Sequence, residues 1–139
     1  SCPVQIAGTA YEGTYIHKRG GYYYMFASIG SCCEGLKSTY TTVVGRSTSL
    51  FGPYLDKKGQ SMMDNHHEIL IHKNDSFVGT GHNSEIVSDN AGTDWLFYHA
   101  VSVANPDGRV LMLDKIDWID GWPSVEGNSP SVKSEKPRF

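Results

Sequence analysis

Glu12 and His82 are the side chains of this sequence whose types and spacing point most directly to chemistry. They stand 70 residues apart, at equivalent places in two stretches that each lead into a run of aromatic residues. A carboxyl group can act as a general acid or base, and an imidazole can transfer a proton or bind a metal ion. A repeat of this length would place the two groups at equivalent points of the fold.

The repeat extends beyond these two residues. The aromatic run at 22–28 corresponds to 94–100, and the Gly-Pro turn at 52–53 corresponds to Gly-Trp-Pro at 121–123. No window keeps the 3.6-residue periodicity of a helix, whereas short strand-like runs bounded by turn residues recur. We therefore predict an all-β fold, with residues 1–139 forming one partial β-propeller domain of about two four-stranded blades plus a fragment of another. Residues 124–139 are predicted to be a closing segment and tail.

Composition argues against several functions and leaves the cysteines open. The net charge is −3 and the basic residues are scattered, so no basic stripe indicates nucleic-acid binding. No apolar run reaches the roughly 18 residues of a membrane span. Cys2, Cys32 and Cys33 make neither a disulfide framework nor a zinc site. For the adjacent pair, the sequence favours two small buried thiols over a vicinal disulfide.

An ordered series of motifs resembles family 43 glycoside hydrolases, most closely the endo-1,5-α-L-arabinanases. The series is Tyr-Glu-Gly-Thr-Tyr-Ile at 11–16, the aromatic run at 22–28, Gly-Ser-Cys-Cys-Glu-Gly at 30–35, Val-Gly-Arg-Ser at 44–47, Gly-Thr-Gly-His-Asn-Ser at 79–84 and Trp-Leu-Phe-Tyr-His-Ala at 95–100. The resemblance covers nearly the whole sequence. It implies that the chain forms the C-terminal blades of a five-bladed β-propeller, with the active site at one end of the central channel.

The resemblance implies inverting hydrolysis of α-1,5-linked arabinofuranose chains by three carboxylates. Glu12 matches the general acid, and the two Asp residues of the family lie in blades N-terminal to this sequence. An inverting enzyme needs an acid and a base roughly 6.5–9.5 Å apart. No Asp of this sequence shares the inner-strand position of Glu12, so we expect none to be the base. The chain without those blades is then expected to be inactive or nearly so.

The resemblance also implies further site residues. His82 matches a histidine that helps to hold an axial metal ion, usually calcium with water ligands. Contacts to substrate at the rim of the site are expected from Tyr11, Ser31, Cys32 and Cys33. The His-His-Glu run at 66–68 is not expected to bind a metal, because adjacent side chains of a strand face opposite ways. His99 is expected to pack within a blade.

Two alternatives to an endo-arabinanase remain open. An exo-acting α-L-arabinofuranosidase or β-xylosidase of the same family would differ in the loops that close the cleft, and a non-catalytic carbohydrate-binding propeller module would need no acid. The expected partners are arabinan or its oligosaccharides and the N-terminal blades, from the same protein or a separate chain; neither nucleic acid nor membrane is expected. Because arabinan is an extracellular plant polymer, we expect a secreted or periplasmic protein.

Overall fold

The computed structural model describes residues 2–139 and confirms the all-β class. The described residues form nine strands and three single-turn 3-10 helices. The strands are β1 (Glu12–Arg19), β2 (Tyr22–Ile29), β3 (Thr41–Ser47), β4 (Glu68–Ile71), β5 (Phe77–Gly81), β6 (Ile86–Ser88), β7 (Asp94–Ser102), β8 (Val110–Ile119) and β9 (Trp122–Ser124). The 3-10 helices span Gly35–Lys37, Met62–Asp64 and Glu126–Asn128. No helix among the described residues is long and apolar enough to cross a membrane.

The strands form two antiparallel sheets of similar order. In the first sheet the order is β1-β2-β3-β4. In the second the order is β5-β7-β8-β9, and β6 also pairs with β7. Strands β5 and β6 pair with opposite halves of β7, so together they form one interrupted strand beside it.

The tight turns lie at one end of the sheets, where the long β3–β4 connection of residues 48–67 also starts, and three other loops lie at the opposite end. Gly20-Gly21 joins β1 to β2 with φ of 58° and 85°, and Asp120-Gly121 joins β8 to β9 with φ of 51° and 78°. Positive φ at both central residues matches the right-handed twist of antiparallel strands, and glycine adopts it without steric cost. The β2–β3, β4–β5 and β7–β8 loops gather at the other end, because their flanking strands are paired there.

The main core lies between the two sheets. Alternate residues of β2 and β7 face each other across it, as the two-residue period of a strand requires. Its buried members are Tyr24, Phe26, Val44, Leu70, Ile71, Ile86, Leu96, Tyr98, Ala100, Ile116 and Val125. A smaller cluster around Met25, Tyr54 and Met62 occupies the other face of the first sheet. Each fully buried large apolar side chain contributes about 1.5–3 kcal/mol, so this packing fixes the relative position of the sheets.

The C-terminal segment is bound to the second sheet rather than extended into solvent. The backbone N–H of Ser131 donates to the carboxylate of Asp114 at 3.2 Å. The backbone N–H of Arg138 donates to Oδ2 of Asp89 at 3.0 Å. These two contacts attach the start and the end of the segment to neighbouring parts of one sheet.

Candidate functional site

Glu12 begins β1 at the end of the sheets that carries the β2–β3, β4–β5 and β7–β8 loops. It is exposed and stands opposite Ser28 of β2. The register shifts between Glu12 and Tyr15, and Gly13 has a φ of 57°. A bulge of this kind re-aims the side chain next to it. The side chain of Glu12 is therefore aimed differently from the side chains in the regular part of β1.

His82 follows β5 directly and lies against the bulge of β1. Its φ is 53°, and its backbone N–H donates to Oγ of Ser28 at 2.7 Å. A Cβ atom on Gly13 would stand 3.3 Å from both Cα and Cγ of His82. The two repeat-equivalent residues, Glu12 and His82, are thus brought side by side at one end of the fold.

Tyr40 completes the immediate surroundings of Glu12. Its ring packs directly on Gly81, where any side chain would clash with it. Burial raises the pKa of Tyr40 to about 12, and the Glu12 carboxylate acts in the same direction, while the Ser28 hydroxyl and the charge of Arg109 oppose the shift. A phenol that stays protonated in the neutral range is a hydrogen-bond donor available to a carboxylate.

Basic and polar side chains of the second sheet lie near Glu12 and His82. His99 pairs with Gly81 and is half-buried. Burial lowers the pKa of His99, and the nearby charges of Arg109 and His82 lower it further. Nδ1 of His99 and Oδ1 of Asn83 are buried without a hydrogen-bond partner among the described residues. His99 thus packs within its sheet and leaves one buried polar atom unpaired near His82.

Ser31, Cys32 and Cys33 lie together in the β2–β3 loop at the same end. Cys32 and Cys33 are joined by a vicinal disulfide, so the expectation of two small buried thiols is wrong. The reason is that the loop stays at the surface and turns at Cys33, whose φ is 68°, so the core does not take up the sulfur atoms. The carbonyl of Ser31 accepts a hydrogen bond of 2.7 Å from Ser38 Oγ, and its own hydroxyl donates to Glu34 at 2.9 Å.

The hydroxyl of Tyr11 contacts the two residues that precede β4. That hydroxyl donates to the carbonyl of His66 at 3.1 Å and lies 2.9 Å from Nδ1 of His67. Burial raises the pKa of Tyr11 to about 12, and the negative charge of Asp56 contributes. The ring also packs against the small cluster around Met25. The expectation that the histidine run would not bind a metal stays a prediction.

Several residues of this centre were missed by the sequence reasoning. The motifs of the sequence do not single out Tyr40, Ser28 or Arg109 as site residues. Glycine within a strand indicates a close approach of another group. Gly81 in β5 is the one sequence signal that pointed to a side chain such as Tyr40 lying across it.

Comparison with known proteins places this geometry in a family. Residues 4–123 match the glycosyl hydrolases family 43. The chain is 43% identical over 123 residues to the extracellular exo-α-(1→5)-L-arabinofuranosidase of Cellvibrio japonicus, covering 88% of the chain and 35% of that protein. It is 41% identical over 118 residues to the extracellular endo-α-(1→5)-L-arabinanase 1 of Bacillus subtilis, covering 84% and 35%.

Solved structures give the same result. The α-L-arabinanase of Cellvibrio cellulosa complexed with arabinohexaose superimposes with a TM-score of 0.79 at 41% identity, covering 86% of this chain and 38% of that one. The endo-arabinanase of Bacillus licheniformis superimposes with a TM-score of 0.79 at 36% identity, covering 87% and 42%. The chain spans about a third of the length of the curated relatives it matches. Because the family match extends over most of its residues, the chain belongs to glycosyl hydrolase family 43.

Proposed function

We propose that the chain is the C-terminal part of an inverting glycoside hydrolase that cleaves α-1,5-linked arabinan, and that Glu12 is its general acid. The observation that carries this proposal is the position of Glu12 on a bulged strand, beside His82 and Tyr40, at the end of the sheets that carries the β2–β3 loop. Relatives named as an arabinanase and an arabinofuranosidase support the substrate class.

In this proposal Glu12 donates its proton to the glycosidic oxygen as the bond to the sugar breaks. A general acid placed in this way commonly contributes about 10²–10⁴-fold to the rate. The phenol of Tyr40 stays protonated in the neutral range and lies beside the carboxylate that forms. It can orient that carboxylate and stabilise its charge by a charge-assisted hydrogen bond.

The catalytic base and the second Asp are assigned to N-terminal blades that complete a five-bladed propeller. About a third of each relative's length is matched here, which leaves room for those blades. Leu111 and Ile119 of β8 are 65% and 57% exposed, as expected for a blade face that a neighbour would cover. The blades belong either to the same protein or to a separate chain, and without them the mechanism lacks its base.

The rim of the substrate site is assigned to the β2–β3 loop. The linked sulfur atoms of Cys32 and Cys33 present an apolar surface at the same end as Glu12, with the backbone of Ser31 holding the loop in place. Such a surface suits the C–H face of a sugar ring. A contact from Tyr11 stays a prediction, because its hydroxyl is engaged elsewhere.

His82 is assigned to hold a calcium ion through water ligands. No three His, Cys, Asp or Glu side chains are grouped for a metal among residues 2–139, so protein ligands would be few. The unpaired Oδ1 of neighbouring Asn83 is an oxygen of the kind that calcium prefers, and the residues are compatible with the ion in this respect. Bound there, the ion would supply positive charge near the carboxylate that Glu12 forms once it has given up its proton.

An exo-acting α-L-arabinofuranosidase is the second candidate function. It is favoured by the relative at 43% identity, whose name describes exo action on the same linkage. The products separate the two candidates, since exo action releases arabinose and endo action releases oligosaccharides. Both relatives are named extracellular, which supports secretion of this protein.

The test is hydrolysis of linear arabinan by the chain joined to N-terminal blades of a relative. We expect the unjoined chain to release no reducing sugar and the joined protein to be active. Glu12→Gln should lower kcat by about 10²–10⁴-fold while arabino-oligosaccharide binding is retained. The matched control is Glu135→Gln, in the exposed C-terminal segment. Full activity of Glu12→Gln, or robust turnover by the unjoined chain, would overturn the proposal.

A further inference from the structure

A cavity opens at the same end of the fold as Glu12. It has a volume of about 540 Å³ and lies between the end of the β2–β3 loop and the start of the β4–β5 loop. Its lining includes Leu36, Lys37, Tyr40, Thr41, His72 and Lys73. Cavities of roughly 300–1,000 Å³ are the usual size for small-molecule sites, so this one can hold a sugar ring.

The charge of this cavity is opposite to that of the chain. The whole sequence has a net charge of −3, yet the lining contains two lysines and a histidine and no carboxylate. Neither Lys37 nor Lys73 forms a salt bridge among the described residues. Nδ1 of His72 lies 2.8 Å from the carbonyl of Lys73, which holds the imidazole beside that lysine. Two unpaired ammonium groups on one cavity favour an anionic ligand.

The position and apolar parts of the cavity define the ligand further. Tyr40 lines the cavity and also lies beside Glu12, so the cavity adjoins the candidate catalytic centre. Leu36 is half-exposed and offers an apolar surface to the C–H face of a ring. A small inorganic anion would leave most of the volume empty, and a neutral sugar would leave both lysines without a partner.

We infer that this cavity binds a uronic acid unit, a sugar ring carrying a carboxylate. The inference rests on the proposed function in taking the ligand to be part of a polysaccharide. The carboxylate would lie between Lys37 and Lys73, and the ring would lie on Leu36. The enzyme would then recognise an acidic sugar next to the neutral arabinan that it cleaves.

The experiment is a calorimetric titration of the 139-residue chain, and of the chain joined to the N-terminal blades of a relative, with trigalacturonate. Galactotriose is the neutral control and inorganic phosphate is the simple anion. We expect trigalacturonate to bind more tightly than either control, and its affinity to fall as salt is raised, since salt screens exposed charges. Equal binding of galactotriose or of phosphate would overturn the inference.

Substitutions locate the site. Lys37→Ala and Lys73→Ala should each raise the Kd for trigalacturonate by about fivefold, as expected for one partly exposed ion pair. Lys58→Ala, on an exposed turn away from the cavity, should leave the Kd unchanged. Thermal unfolding of each variant checks that the fold is intact. Unchanged affinity in both cavity variants would contradict the assignment, whereas failure of the Glu12→Gln assay would affect only the proposed hydrolysis.

Discussion

The hydroxyl of Ser28 accepts a hydrogen bond of 2.7 Å from the backbone N–H of His82. Ser28 is fully buried and is also the strand partner of Glu12. One serine of the first sheet therefore links the two residues that the sequence repeat makes equivalent. Its hydroxyl also opposes the rise in the pKa of Tyr40. Ser28 therefore contributes to the surroundings of the candidate acid in two ways.

Ser28→Ala should destabilise the protein and disturb the position of His82. The substitution leaves the part-buried backbone N–H of His82 without its partner, which costs about 1 kcal/mol, the lower end of the range for buried groups. Denaturant unfolding measures the change in the free energy of unfolding. Ser84→Ala is the control, because its exposed hydroxyl bonds only to the next residue. Equal stability of the two variants would show that the Ser28 contact contributes nothing.

Gly81→Ala should displace Tyr40 from its place beside Glu12. A Cβ atom on Gly81 would overlap the Tyr40 ring, and overpacking of this kind costs about 1–3 kcal/mol. Gly108→Ala is a suitable control, since its Cβ would meet nothing within 4 Å. Thermal unfolding of both variants tests the expectation. If Gly81→Ala were as stable as Gly108→Ala, the close packing of Tyr40 on β5 would be wrong.

The vicinal disulfide predicts a specific count of reactive thiols. Only Cys2 is free among the described cysteines, and it is exposed. The denatured but unreduced chain should therefore take up one maleimide label, and the reduced chain should take up all three. Mass spectrometry counts the labels. Three labels without reductant would contradict a bond between Cys32 and Cys33.

Asp89 should make attachment of the C-terminal segment sensitive to acid. The hydrogen bond from the Arg138 backbone, followed by those from Trp95, Thr93 and Ala91, lowers the pKa of Asp89 to about 2 against the opposing effect of burial. The unfolded value is about 3.9, so the stabilisation is fully present above that pH and is lost as the pH falls towards 2.

Hydrogen exchange of the Arg138 amide measures this loss. Protection should decline between about pH 4 and pH 2. Asp89→Asn should weaken protection at neutral pH and remove most of its dependence on pH in this range. Asp107→Asn, in the exposed β7–β8 loop, serves as the control. Constant protection of Arg138 across the range in the unaltered chain would refute a role for the Asp89 carboxylate.

The repeat made the proximity of Glu12 and His82 predictable, because residues at equivalent places in two repeats lie at equivalent points of the fold. The Gly20-Gly21 turn was predictable as well, since two glycines between strand-like runs favour a hairpin with positive φ. Family membership followed from motifs that keep their order along the chain. These features depend on local sequence or on spacing, and both can be read without coordinates.

Other features depend on residues that are far apart in sequence and could not be read in this way. Tyr40 reaches Glu12 because β3 begins beside the end of β2 and opposite Gly81. The state of Cys32 and Cys33 depends on whether their loop turns towards the core or stays at the surface. The residue types alone do not distinguish a vicinal disulfide from two buried thiols, so the sequence favoured the thiols, which are commoner.

The dependence of kcat/KM on the leaving group tests the role of Glu12 most directly. The comparison uses Glu12→Ala in the chain joined to N-terminal blades, with linear arabinan and with a dinitrophenyl arabino-oligosaccharide, whose phenolate departs without a proton. If Glu12 is the general acid, the variant should lose about 10²–10⁴-fold on arabinan and less than about tenfold on the aryl substrate. Equal losses on the two substrates would contradict proton donation by Glu12.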